Sequence, residues 1–284
     1  MTRPVRTALL LALVAIPVGG AAAQQPPPAP PPPPPNPPAV VTTNPCPLAK
    51  RWHIRCPDIE MKRPFDLYVQ RSHGRTLLRA GNSVDNVGSG PLELRGRRTS
   101  RIFMHATQRI YRSGRGHITA KTGARLRYTL GHQGLHYWKF YRAARFELWR
   151  LDKQGKRRKL VRRGAKIAYC LRDLRRSYPR LERSPRHRVY PACNTNARQR
   201  HEVIGTSVGW SDIYPSTYIK QWVNITGLRG CFALRHLADP GNFVFEKNER
   251  NNSAQVVLRL PFRRGKQHCP GHSTGEINHE TGPY

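Results

Sequence analysis

The chain has 284 residues, 50 of them Lys or Arg against 16 Asp or Glu, which gives a formal net charge of +34. A field of that sign attracts any polyanion and speeds its encounter. No internal repeat is present, and no apolar run after the first residues is long enough for a transmembrane helix.

In residues 1–23, Arg3 and Arg6 precede an apolar run from Ala8 to Val18, and Ala21-Ala22-Ala23 stand ahead of Gln24. This is the pattern of a secretory signal with a small-residue cleavage site, so the mature protein is expected to be secreted or extracytoplasmic. Residues 24–45 read as a disordered Pro-rich linker. From Pro26 to Pro38 the chain is nearly all proline, lacks backbone donors and stiffens into polyproline II rather than packing. A proline-rich ligand for a recognition domain is the alternative reading. Residues 46–263 are expected to form one domain, and 264–284 a polar tail pinned only by Cys269. The exported part, about 240 residues, is within the range that one all-β domain can fill.

The predicted elements are strands. Arg145–Leu151 alternates apolar with polar residues, as a half-buried strand does. Ile167–Leu171, Gln221–Ile225 and Ala254–Leu260 repeat that short β-branched or aromatic pattern. Turn signals separate them, including Gly88-Ser89-Gly90-Pro91, Asp152-Lys153-Gln154-Gly155, Thr226-Gly227 and Asp239-Pro240-Gly241-Asn242. No 3.6-residue apolar period is sustained. The predicted class is all-β, a single antiparallel β-sandwich domain with long loops.

All six cysteines, Cys46, Cys56, Cys170, Cys193, Cys231 and Cys269, lie in the exported part. In an oxidising compartment they are expected to form disulfides, and spacing alone leaves the pairing open. None is spaced as C-x-x-C, which argues against a metal-binding cysteine site.

From Lys156 to Arg188 the only acids are Asp173 and Glu182. The expected partners are anionic envelope polymers, lipid headgroups or acidic protein. The binding is expected to be diffuse, centred on Arg157, Arg158, Arg162, Arg163, Arg175 and Arg176. Single-strand recognition wants aromatic stacking platforms among the basic residues. Tyr169, Tyr178 and Tyr190 are widely spaced, so specific nucleic-acid binding is not expected.

Three stretches point to one chemistry. They are Gly209-Trp210-Ser211-Asp212-Ile213-Tyr214-Pro215, Gln221-Trp222-Val223-Asn224-Ile225-Thr226-Gly227 and Lys166-Ile167-Ala168-Tyr169-Cys170-Leu171-Arg172-Asp173. Together with Leu78–Glu93, the sequence resembles the catalytic domain of the lysyl oxidase family, particularly its bacterial members, over roughly residues 57–262. The resemblance implies a β-sandwich and the copper- and quinone-dependent oxidation of peptidyl-lysine or primary amines. It matches Lys166 and Tyr214 to the pair that forms the lysine tyrosylquinone cofactor. A phenol beside a redox metal is oxidised to an ortho-quinone, and a nearby neutral amine adds to that ring. The resemblance also supports a Cys170–Cys193 bridge. Proximity then joins Cys46 with Cys56, and elimination joins Cys231 with Cys269.

Two metals are implied. In the family, copper is held by three histidines at alternate positions of a strand, where residues i, i+2 and i+4 project the same way. The corresponding segment is Gly134-Leu135-His136-Tyr137-Trp138-Lys139-Phe140, and the best-matching register places Leu135, Tyr137 and Lys139 there. A shift by one residue gives Gly134, His136 and Trp138. His132 shares a face with His136 if the strand is extended, so His132 and His136 are the candidate Cu²⁺ ligands. The second metal is Ca²⁺. Glu246, Asn248, Asn251 and Asn252 match the family's calcium loop, with Asp58 supplying a carboxylate and Ile59 a carbonyl. Asn248 stands where an acid is more usual. A polar turn capped by asparagines is the alternative.

Two functions follow. One is a secreted copper and quinone amine oxidase. The other is a non-catalytic, calcium-stabilised secreted module that holds anionic envelope polymers. The altered histidine positions make the chain a degenerate member in copper binding.

Overall fold

In a computed structural model, the described residues are 38–263 and 268–270. The expected signal peptide, the proline tract as far as residue 37 and most of the polar tail lie outside them.

The regular structure of the described residues is almost all strand, nearly all paired antiparallel, in three sheets, and long loops join the strands. One sheet runs, in spatial order, Val40–Val41, His117–Ala120, Phe103–Arg112, Arg125–Leu130, His136–Tyr141 and Ala168–Tyr169. Leu92–Arg98 joins it beside Phe103–Arg112 and pairs on its other side with His201–Thr206. A four-stranded sheet places Arg157–Arg163, Ala144–Leu151, Gly230–Ala238 and Ser253–Leu260 side by side. The third is organised on the long strand Arg75–Asn86, which pairs with Trp210–Tyr214 and Trp222–Asn224. Among the described residues, Val40–Val41, ahead of Cys46, joins the first sheet through the parallel pairing with His117–Ala120.

Alternation decides which face is buried. In Phe103–Arg112, Met104, Ala106, Gln108 and Ile110 point inward, and the residues between them do not. The predicted strand at Arg145–Leu151 is observed as Ala144–Leu151, and Ala254–Leu260 as Ser253–Leu260. Gln221–Ile225 narrows to Trp222–Asn224, and Ile167–Leu171 to Ala168–Tyr169. The last shortening has a cause: beyond Tyr169 the backbone turns its groups to Tyr214, with Cys170 N donating to the phenol oxygen.

Two large cores result. Phe146, Leu148, Phe232, Leu234 and Leu258 of the four-stranded sheet pack on Leu67, Leu78, Val223 and Ile225, two layers face to face. Trp138, Phe140, Leu94, Met104 and Leu126 of the first sheet pack on Val84, Tyr169 and Tyr214. Each fully buried side chain of this kind contributes about 1.5–3 kcal/mol.

All three expected disulfides are formed: Cys46–Cys56, Cys170–Cys193 and Cys231–Cys269. They are compatible with an oxidising compartment. Among the described residues, no helix is long and apolar enough to cross a membrane.

Candidate functional site

Lys166 and Tyr214, 48 positions apart by their residue numbers, meet in the second core. The ammonium nitrogen of Lys166 lies 3.5 Å from the centroid of the Tyr214 ring and 5.1 Å from that of Tyr169. Backbone pairing brings them together. Trp210–Tyr214 docks on Arg75–Asn86 with Tyr214 opposite Asn82, while Ala168–Tyr169 closes the edge of the first sheet opposite Tyr141 and Phe140. Gly209, just ahead of this strand, lets the segment at 178–184 pack closely: its φ of +76° is left-handed, and a Cβ there would come within 2.5 Å of the Tyr178 carbonyl.

The site is dry. Lys166 is 6% exposed, Tyr214 7%, and Asp212 not at all. The Tyr214 hydroxyl donates to Asp212 Oδ2 at 2.7 Å and accepts from Cys170 N at 2.8 Å. Asp212 Oδ1 has no partner. Burial pushes the Asp212 carboxyl up to about 7, and the Tyr214 phenol well above its ordinary value. Burial first, and the charge of Lys139 second, drive the Lys166 amine well below its ordinary value. Turned so that its oxygen faces the lysine, the Gln221 amide accepts from Lys166 Nζ at 3.3 Å. His236 stacks on Phe146 with centroids 3.6 Å apart, and neither ring nitrogen has a partner. Burial, helped by the Lys166 charge, lowers its pKa to about 3 and keeps it neutral.

The strand His136–Tyr141 supplies the neighbouring wall. Trp138 and Phe140 face its core side, while Tyr137 and Lys139 project from the opposite face. Lys139 Nζ donates to the Leu130 carbonyl at 3.3 Å. Burial is the first cause, and the charge of Lys220 the second, that lowers its pKa to about 8; Asp212 pulls the other way. Leu135 is exposed. The extended geometry that would carry one face from His132 to His136 is absent. Residues His132–Gly134 form a 3-10 turn, with φ of 56° at Gln133 and 76° at Gly134, and the strand starts only at His136. The His136 ring stacks on Tyr128, centroids 5.5 Å apart, on the opposite face of the strand from Lys139.

A sequence model of the lysyl oxidase family matches residues 95–267, more than half of the chain. The chain belongs to the lysyl oxidase family. No curated protein matches it.

Membership makes copper and a lysine tyrosylquinone the family expectation. The residues that the resemblance assigns to copper do not fit it: Leu135, Tyr137 and Lys139 offer an alkyl chain, a phenol and an amine, and the amine's charge acts on Lys166. Among the described residues, no group of three or more His, Cys, Asp or Glu is arranged to hold a metal ion.

The Asp58–Glu246 region has the opposite character. Asn251 Nδ2 donates to Asp58 Oδ1 at 2.8 Å, and Asn252 Nδ2 to Glu246 Oε1 at 2.5 Å and to Glu249 Oε2 at 3.3 Å. Ile59 N donates to Glu246 Oε2 at 2.6 Å. The amide oxygens of Asn251 and Asn252 are buried without partners, so three carboxylates and two orphaned acceptors share one place. Burial raises the Glu246 carboxyl to about 9. Carboxylate and amide oxygens are the donor types a hard cation takes, but here the carboxylates are bonded by Ile59 N, Asn251 and Asn252 rather than arranged around a metal position. Asn248 is exposed and accepts from Arg250 N at 3.1 Å, capping a turn.

The basic run does not form one patch. Arg157, Arg158, Arg162 and Arg163 lie on the outer strand of the four-stranded sheet, whereas Arg175 and Arg176 pair with Ser211 and Trp210 in the third sheet. Arg176 spends its guanidinium on Ser184 and the Pro179 carbonyl. Sequence reasoning also left Asp212 unassigned. Its signal was available: two residues before Tyr214 on one strand, it projects to the same side. Asn82, Gln221 and His236 have no local signal, because only the fold brings them to the lysine.

Proposed function

We propose that this lysyl oxidase-like protein is exported, does not oxidise amines through copper, and holds anionic envelope polymers through its basic surface. The observation that supports the reading is Lys139: a half-buried amine, not an imidazole, stands at this position of the strand, and its charge acts on Lys166 while that of Asp212 acts on it. A divalent cation placed there meets Lys139, Lys166, Lys220 and Arg172 with Asp212 as counter-charge, an arrangement that opposes binding. Access is cationic too. Lys166 forms part of the wall of a hollow of about 430 Å³ whose rim carries Arg142, Arg145 and Arg163, which repel a protonated lysine side chain.

Calcium is proposed as the structural ion, held by Asp58, Ile59, Glu246, Glu249, Asn251 and Asn252. It would join the start of the domain to its last strand, and Asn248 is left out of the set. The remaining surface supports polymer binding: described ion pairs engage only a handful of basic groups, among them Lys62, Arg95, Arg145 and Arg235. Retention of the mature chain on heparin and on an acidic polysaccharide tests this. Binding that weakens steeply with salt supports it, and passage without retention at about 0.05 M salt refutes it.

One observation favours the second reading, a peptidyl-lysine or primary-amine oxidase: the Lys166 amine already stands 3.5 Å over the Tyr214 ring. When present, copper and quinone supply the oxidation of an amine to an aldehyde. Peroxide release from a primary amine, lost on Lys166→Arg, would establish that reading.

A further inference from the structure

A second group of arginines outside any described ion pair lies away from the run at 156–188. Two hollows, of about 410 and 810 Å³, share Arg98 as a common wall at one end of the first sheet. They gather Arg97 and Arg101 from one segment, Arg127 from a second, and Arg198 and Arg200 from a third. Neither is lined by a carboxylate, and none of these arginines enters a described ion pair. Glu202, close by in sequence, is buried and accepts from Asn194 N.

The hollow is held in shape. Arg98 donates to three carbonyls, Ser100 and Ala197 at 3.0 Å and Arg101 at 3.1 Å, which ties the loop at 99–102 to the segment at 196–199. That segment is fixed from below by Trp138, whose backbone N donates to the Asn194 carbonyl and whose indole donates to that of Asn196. The Cys170–Cys193 bridge anchors its start. One wall is aromatic and apolar, made by the stacked Tyr128 and His136 with Ile102 and Leu130. The Tyr128 hydroxyl donates to the Thr195 carbonyl at 2.6 Å, which orients the ring.

We infer that this hollow is a shaped binding site for a linear polysaccharide bearing carboxylate or phosphate groups. Guanidinium forks match the paired oxygens of either anion. The aromatic wall offers a flat apolar face to the C–H side of a sugar ring. A single strand of nucleic acid would want successive stacking platforms, and here there is one aromatic pair against several arginines. The inference rests on the polymer-binding reading proposed above and narrows it from a diffuse field to one place.

The experiment compares the mature wild type with two variants that each remove four charges. One carries Arg97→Gln, Arg101→Gln, Arg198→Gln and Arg200→Gln, all exposed, with Arg98 kept because it holds the loops. The other carries Arg157→Gln, Arg158→Gln, Arg162→Gln and Arg163→Gln. Melting curves establish that both fold. Affinity is measured at about 0.15 M salt for a polyuronate, a phosphodiester-linked glycan and duplex DNA. The expected result is a loss of at least about tenfold on one or both glycans for the hollow variant only, with DNA affected equally by both variants. The glycan that responds identifies the anion. Equal losses from the two variants would overturn the shaped site while leaving polymer binding intact. Tighter binding to DNA than to either glycan would overturn the ligand class, and failure of the wild type to bind any of them would remove both readings.

Discussion

The Lys166–Tyr214 site and the Asp58–Glu246 cluster are both buried, both polar, and both assembled from segments far apart in sequence, yet their charges are opposite. Around Lys166 the neighbours are Lys139, Lys220 and Arg172 with the single carboxylate Asp212 in close contact with Tyr214. Around Glu246 they are Asp58 and Glu249, with amide oxygens left over. Desolvation penalises charge in each, so the amines lose protons and the carboxylates gain them. The lesson is that one fold carries a buried cationic place and a buried acidic one, and desolvation shifts their protonation in opposite directions.

The largest expected effect concerns the acidic cluster. At Ca²⁺ about a hundredfold above its Kd, binding only the folded state adds ~2.7 kcal/mol, which for a domain of this size raises Tm by roughly 5–10 °C. Asp58→Ala should abolish the increment. If chelator and Ca²⁺ give one melting curve in the wild type, the contrast between the two regions loses its acidic half.

Next comes Tyr214→Phe, which leaves Cys170 N and Asp212 without the phenol they bond. Stranding buried polar groups costs about 1–3 kcal/mol, read as a shift in the urea midpoint. No shift would mean that the site's polar contacts do not stabilise it.

The smallest effect sharpens the comparison through pH. Asp212, raised to about 7 from 3.8, gives the folded state more bound protons than the unfolded across that window, so its stabilising contribution is lost as pH rises through it. Lys139, lowered to about 8 from 10.5, gives the unfolded state more, so stability is regained as pH rises through that upper window. Stability should therefore dip between about pH 7 and 8. Asp212→Asn should flatten the lower limb and Lys139→Met the upper. Limbs that persist in both variants would assign the pH dependence to other groups.

Much of the fold was legible because alternation is a local property: Ala144–Leu151 and Ser253–Leu260 bury every second residue along much of their length against the opposing layer. The Lys166–Tyr214 pair was legible only through resemblance, since nothing local relates two residues that meet by sheet pairing. His132 with His136 shows the limit of alternation, which holds only while the backbone stays extended; Gln133 and Gly134 turn it. The arginine hollow was not legible at all. Its residues come from three segments, and the dense run that drew attention in sequence is divided between two sheets.

The central claim is that the ligand strand no longer supports copper. The most direct measurement is the copper content of the purified mature protein after aerobic incubation with Cu²⁺, taken together with its visible spectrum and a redox-cycling quinone stain. Substoichiometric copper and no quinone are the predicted result, with the strand variant Leu135→His, Tyr137→His, Lys139→His gaining the metal. Stoichiometric copper in the wild type, with a quinone band that disappears in Lys166→Arg or Tyr214→Phe, would contradict the account and make the protein an oxidase.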